Sequence, residues 1–283
     1  MLQNCAITGF ADEIDQRLSK QIDVLKKLGI SYVEYRSGDG KGIADYSCDE
    51  AKEAAKRLCD AGIKVSAIGS PIGKVGVNDD FAKHFEVFKH VVELAGIFGT
   101  KYIRVFSFYI PKGENPDSYK NKVIDQLGKL VAYAQTNDVV LLHENEKAIF
   151  GDNAKRCLAL FESLYGEHFR CTFDFANFIQ CGQNTFEAYQ MLKKYIAYIH
   201  VKDAIGEDVV PAGKGEGQVK EILTLLDASG YDGFLSLEPH LFNFAGLDKL
   251  SVEKQENGRL VENAPKGEAA FTLAYDSLMQ LLK

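Results

Sequence analysis

Four apolar runs of this 283-residue chain end in residues able to hold a metal ion. "VVLLHE" (139–144) closes on Glu144, "CTFDF" (171–175) carries Asp174, "AYIHVK" (197–202) carries His200, and "GFLSLE" (233–238) closes on Glu238. Singly, each has an ordinary structural role: a lone aspartate there caps the next helix, and a lone histidine is a hydrogen-bonded core residue. Together they make a set of three carboxylates and one imidazole. Carboxylates gathered without a cation repel one another, and a divalent ion relieves that repulsion. Oxygen-rich ligation with a single nitrogen points to Mn2+ or Mg2+, with Co2+ also accommodated.

Side chains alternate across a strand, so Leu142, Glu144 and Glu146 share one face, as do Thr172 and Asp174, then Tyr198, His200 and Lys202, then Ser236, Glu238 and His240. The four runs belong to a longer series of eight, the others at 6–10, 31–36, 64–69 and 101–108. Amphipathic segments separate them, including "DQRLSKQIDVLKKLG", "DEAKEAAKRLCDAG" and "DDFAKHFEVFKHVVELAGIFG", which open on Asp and close on Gly as capped helices do. Strict alternation of strand and helix implies parallel strands joined by right-handed crossovers. Eight such units predict an α/β fold of the (β/α)8 TIM barrel type, whose strand C-terminal ends converge on one mouth. An open doubly wound sheet is the alternative. Residues 1–283 are expected to form one domain, with a polar insertion at about 239–266 between the last strand and the final helix "EAAFTLAYDSLMQLL".

A net charge of -7 argues against a nucleic-acid partner, which requires a basic surface to displace counterions. The six cysteines form no CxxC pair, as expected of reduced thiols in a cytoplasmic protein. The N-terminal stretch lacks the pattern of a leader, and no run has the length of a membrane span. A homo-oligomer is compatible with the sequence.

"HENE", "TFDFAN", "IHVKD" and "LSLEPH", in that order, with "FADEI" near the start, "LGISYVEYR" and "GEG", resemble the xylose isomerase-like barrel superfamily, in particular its sugar phosphate isomerase/epimerase branch. The resemblance runs over essentially the whole chain. It implies that Glu144, Asp174, His200 and Glu238 are metal ligands, that Glu144 and Glu238 are also the acid/base pair, and that the substrate is a small carbohydrate. A proton α to its carbonyl would leave through an enediolate. Return to the same carbon from the opposite face gives epimerisation; return to the neighbouring carbon gives isomerisation. A polyol dehydratase of the same superfamily is the nearest alternative, and a non-catalytic sugar-binding barrel is the alternative of another class. The chain departs from the family pattern at Glu146 and Asn177, where histidines are common, and at Gly206, where ketose 3-epimerases carry arginine.

Further positions carry weaker expectations. Lys202 either polarises a substrate oxygen or makes a core salt bridge; Glu146 either bonds a hydroxyl or orients a ligand. His240 contacts substrate or caps its loop, Asn177 occupies a substrate-handling position, and Arg104 reads first as a barrel-interior salt bridge and second as a substrate contact. Glu34 and Arg36 share a face and are expected to pair. "PAGKGEGQ" (211–218) lacks the spacing of a phosphate loop, so a tight turn before the next helix is favoured and a phosphorylated substrate is not implied.

Overall fold

The computed structural model describes residues 1–241 and 266–283. Eight short strands, each at an expected run, build one parallel sheet: β1 (Ala6–Gly9), β2 (Tyr32–Tyr35), β3 (Lys64–Ile68), β4 (Tyr102–Val105), β5 (Val140–Glu144), β6 (Phe169–Asp174), β7 (Ile196–Val201) and β8 (Phe234–Leu237). The hydrogen-bonded order is β1-β8-β7-β6-β5-β4-β3-β2, and β2 lies beside β1. That order closes a (β/α)8 barrel. Strands covered on both faces can be apolar along most of their length, which is why the runs read as nearly continuous.

Helices α1 (Leu18–Lys27), α2 (Cys48–Asp60), α3 (Phe81–Ile97), α4 (Lys120–Thr136), α5 (Ala154–Leu164), α6 (Phe175–Gln180), α7 (Thr185–Leu192), α8 (Val219–Ala228) and α9 (Glu268–Leu281) surround it. The main apolar core lies between these helices and the outer face of the strands. Asp80 caps α3 by accepting from the backbone N–H groups of Ala82 and Lys83. The other two expected aspartate caps are corrected. Ser47 begins α2 through a reciprocal capping box with Glu50, which satisfies more orphan donors than Asp49 could from inside the helix. Asp15 pairs with Arg17, and the Leu18 N–H at the start of α1 is taken by Asp39 from the β2 loop. The glycine stops hold: Gly62 and Gly99 turn out of α2 and α3 with φ of 76° and 69°.

Two antiparallel hairpins, Ser37–Gly38 with Lys41–Gly42 and Asp203–Ile205 with Asp208–Val210, extend from the mouth ends of β2 and β7. They were not expected from the strand pattern. The expected polar insertion lies, from 242 to 265, outside the described residues. Ala67, Leu142 and Tyr198 make a small apolar cluster separate from the main core, and Thr8, Ser66 and Tyr198 link their hydroxyls at 2.8 and 2.9 Å.

Candidate metal centre

Parallel register sets the positions of the candidate ligand residues. Asp174 on β6 aligns with His200 on β7, which aligns with Ser236 on β8, and Glu238 follows just past the end of β8. Glu144 is the last residue of β5. The side-chain donors of Glu144, Asp174, His200 and Glu238 all lie within 4.8 Å of one another, and all four residues are buried. His200 Nδ1 stands 3.1 Å from Glu144 Oε1, 3.5 Å from Glu238 Oε2 and 3.9 Å from Asp174 Oδ2.

Neighbouring groups fix each of these side chains. Asp174 uses Oδ1 to cap α6, accepting from the Asn177 N–H at 2.7 Å, and this leaves Oδ2 directed at the cluster. The capping role and the candidate ligand role thus fall on different oxygens of one carboxylate. Asn145 clamps β5 to β6 with two 3.0 Å bonds to the Asp174 backbone. Asn177 Nδ2 donates to Glu144 Oε1 and to the Asn145 carbonyl. On its far side, His200 Nε2 meets Glu34 Oε2 at 3.2 Å, and Ser236 Oγ donates to that same oxygen at 2.6 Å. Phe10 packs edge-on against the imidazole.

The donor set fits a divalent ion. Asp174 Oδ2 and His200 Nδ1 are buried without a hydrogen-bond partner. Lys202 Nζ lies 3.2 Å from Asp174 Oδ2 without hydrogen-bond alignment and donates to Glu238 Oε2 at 3.0 Å. The electrostatics agree. Burial, aided by Glu238 and Glu144, pushes the Asp174 carboxyl up to about 7 against the pull of Lys202. Burial also opposes a charged His200, yet the Glu144 and Glu34 carboxylates hold it well above the ordinary imidazole range. Such a site draws positive charge from any available source.

The remaining positions divide into groups. Arg104 lies 3.2 Å from Glu144 Oε2 and donates to the Ser70 carbonyl, a buried salt bridge on the barrel wall. Glu146 pairs with Lys74 at 3.0 Å, and Lys74 also sits over the Phe106 ring. His240 is partly exposed, and its ring lies 3.2 Å from Glu238 and 3.3 Å from Glu13. Glu34 and Arg36 do not pair as expected. Arg36 is drawn instead to Asp12 and Glu13 after β1, with Glu238 3.5 Å away, because the next strand round the barrel offers it two buried carboxylates. Burial pushes Glu13 up to about 8 even with Arg36 beside it. Sequence reasoning gave no role to Lys74, Asp12, Glu13 or Asn145. The "DE" of "FADEI" carried the same signal as the other four runs, charge immediately after an apolar strand, whereas Lys74 sits in a loop without pattern.

The glycine loop is a turn, as favoured, and its anion belongs to the chain itself. Asp203 Oδ2 accepts from the N–H groups of Gly213 and Gly215, and Oδ1 from those of Gly217 and Ala204, at 2.9 to 3.0 Å. A Cβ at position 215 would fall 2.4 Å from that carboxylate, so glycine is required there.

Residues 22–257 match the family model described as xylose isomerase-like TIM barrel. The chain belongs to the xylose isomerase-like TIM barrel family. No curated protein matches it. Among solved structures, the barrel is similar to the IolI protein with a bound zinc atom (TM-score 0.75, 19% identity, 98% of each chain covered). It is also similar to D-psicose 3-epimerase with D-tagatose from Clostridium cellulolyticum H10 (0.75, 14%, 98% of each chain). A third is the probable 3-DHS dehydratase AsbF from Bacillus anthracis (0.68, 16%, 83% of this chain and 92% of that one). These identities show a shared fold. An epimerase and a probable dehydratase both share it, so the fold alone does not select the reaction of this xylose isomerase-like barrel. Among the described residues, no helix is long and apolar enough to cross a membrane.

Proposed function

We propose that this barrel is a divalent-metal-dependent sugar isomerase or epimerase of the cytoplasm that removes a proton α to a carbonyl. One observation carries the reading: three buried carboxylates and an imidazole from four consecutive strands direct their donors at a common point in the barrel mouth. Glu144, Asp174, His200 and Glu238 would hold the ion, Mn2+ or Mg2+ by the oxygen-rich donor set. When bound, the ion supplies Lewis-acid stabilisation for negative charge on the oxygens of an α-hydroxycarbonyl substrate.

The chain's own groups would move the proton. Burial opposes ionisation of Glu238, but Lys202, then His240, His200 and Arg36, hold it well below the ordinary carboxylate range, so it stays ionised, the form a general base requires. Glu144 stands across the cluster on β5, where it can act on the opposite face of a planar enediolate. Lys202, His240 and the Glu146–Lys74 pair flank the two carboxylates and would bind hydroxyls. Arg104 and Asn177 would act through Glu144, which both touch.

The test is metal content together with Mn2+ titration of the wild type, Glu238→Gln and Asp174→Asn, followed by a screen of aldoses and ketoses in deuterated water. Near-stoichiometric metal that weakens in both variants, with metal-dependent exchange at one sugar carbon, is expected. Loss of one water from the product would instead identify a dehydratase. Metal without exchange would identify a binding barrel, and absence of binding at millimolar Mn2+ would overturn the proposal.

A further inference from the structure

In the helical layer, α2 and α3 bring together Cys48, His90 and Glu93, which share no residue with the barrel-mouth set. Cys48 is the first residue of α2; His90 and Glu93 stand one turn apart on one face of α3. One donor atom from each lies within 4.8 Å of the others. His90 is already aimed: its Nε2 donates to the Tyr46 carbonyl at 2.7 Å, which leaves Nδ1 as the acceptor on the side of Glu93, 3.8 Å from Oε2. Metal-binding histidines are commonly oriented in this way, by a carbonyl taking the other ring proton. The anchor is itself held, because the buried Tyr46 hydroxyl bonds Tyr35 and the Gly38 carbonyl at 2.8 and 2.7 Å.

We infer that Cys48, His90 and Glu93 form a second metal site, one that takes a thiolate-seeking divalent ion such as Zn2+ with water as the fourth ligand. Sulfur and imidazole donors select zinc over the Mn2+ or Mg2+ suited to the mouth. Zinc bond lengths of about 2.0 to 2.3 Å place tetrahedral donors about 3.3 to 3.6 Å apart. From separations of up to 4.8 Å the three side chains therefore need to close by at most about 1.5 Å, which the exposure of Glu93 permits. The Cys48 thiol and the Glu93 carboxylate are neighbours in this cluster. On binding, the S–H bond breaks, a sulfur–metal bond forms, and one proton leaves to solvent with no change of oxidation state. The ion would then tie α2 to α3.

Co2+ titration of the full, EDTA-treated chain tests this independently of the barrel mouth, because the mouth set contains no sulfur. The expected result is a thiolate-to-cobalt charge-transfer band in the near ultraviolet that Zn2+ abolishes. Cys48→Ala should lose the band, and His90→Ala should weaken Co2+ binding more than about tenfold. Asp174→Asn should keep the band, and thermal melts would verify that each variant is folded. No band in the wild type under excess Co2+, or an undiminished band in folded Cys48→Ala, would overturn the inference.

Discussion

His200 and Glu34, 166 residues apart in the chain, meet inside the barrel with Nε2 3.2 Å from Oε2 and no solvent reaching either side chain. The contact sets the proton on Nε2 and presents Nδ1 to Glu144, Asp174 and Glu238. Ser236 shares the Glu34 oxygen and holds it in place. A partner of this kind raises the basicity and fixes the ring of a metal-binding histidine, and its loss commonly costs about 10- to 100-fold in affinity. Glu34→Gln is accordingly expected to weaken Mn2+ by that factor while the far-ultraviolet circular dichroism stays unchanged. Calorimetric titration of the two proteins gives the answer, and equal affinities would show that Glu34 is only a core partner.

Asp203 fills the seat that its glycine loop would otherwise offer to a phosphate. Its carboxylate is buried and accepts four backbone N–H groups, so truncation leaves four donors without partners. Asp203→Ala should cost roughly 3 kcal/mol or more in urea unfolding, given about 1 to 3 kcal/mol for an unsatisfied buried group. Acetate in solution should restore part of the loss by re-entering the seat, whereas wild type should gain nothing from acetate or inorganic phosphate. A stable variant indifferent to acetate would mean that the loop holds its shape without the carboxylate.

His84 supplies a pH dependence outside the candidate metal centre. Its Nε2 accepts from the Gly73 N–H at 2.9 Å, pinning the loop that carries Lys74. Burial lowers the imidazole below its ordinary range, with Asp79 opposing only in part. In the unfolded chain a histidine takes up a proton near pH 6.5, while in the folded chain this one resists protonation, so the unfolded state binds more protons on acidification. The stabilisation is therefore complete above about pH 6.5 and is lost as pH falls through the lower folded value. Melting temperatures between about pH 7 and pH 5 should fall less steeply in His84→Gln than in wild type. Parallel slopes would remove His84 from the account.

The strand ends were legible because a barrel imposes a strong pattern: an apolar run buried on both faces and then, at the mouth, an abrupt polar residue. Glu144, Asp174, His200 and Glu238 all follow that rule, and so does the overlooked Glu13. What the pattern could not give was pairing across the barrel. Arg36 lies two residues from Glu34 on the same face, but the choice between Glu34 and the carboxylates after β1 depends on barrel closure, which period-2 reasoning does not include. The loops were similarly opaque. Lys74 reaches Glu146 from a turn held by His84, and three of the four amides around the Asp203 carboxylate come from residues ten or more positions away. Neither relationship leaves a trace in local spacing.

Lys202 bears most directly on whether the mouth is built for a divalent ion. Its ammonium lies 3.0 Å from Glu238 and 3.2 Å from Asp174, and those carboxylates hold it charged despite burial. It donates nothing to a cation and repels one across a poorly solvated gap. Replacement by methionine, of similar length, removes that repulsion and also leaves Asp174 and Glu238 uncompensated when no ion is bound. Both effects act in the same direction on binding. Lys202→Met should therefore take up Mn2+ about tenfold or more tightly than wild type. In EDTA it should be less stable by about 3 kcal/mol. Calorimetry reads the first quantity and urea unfolding the second. If the variant is destabilised but its Mn2+ affinity falls, Lys202 supports the ligands rather than opposing the ion; if neither quantity moves, Asp174 and Glu238 do not share the charge-dense centre described above.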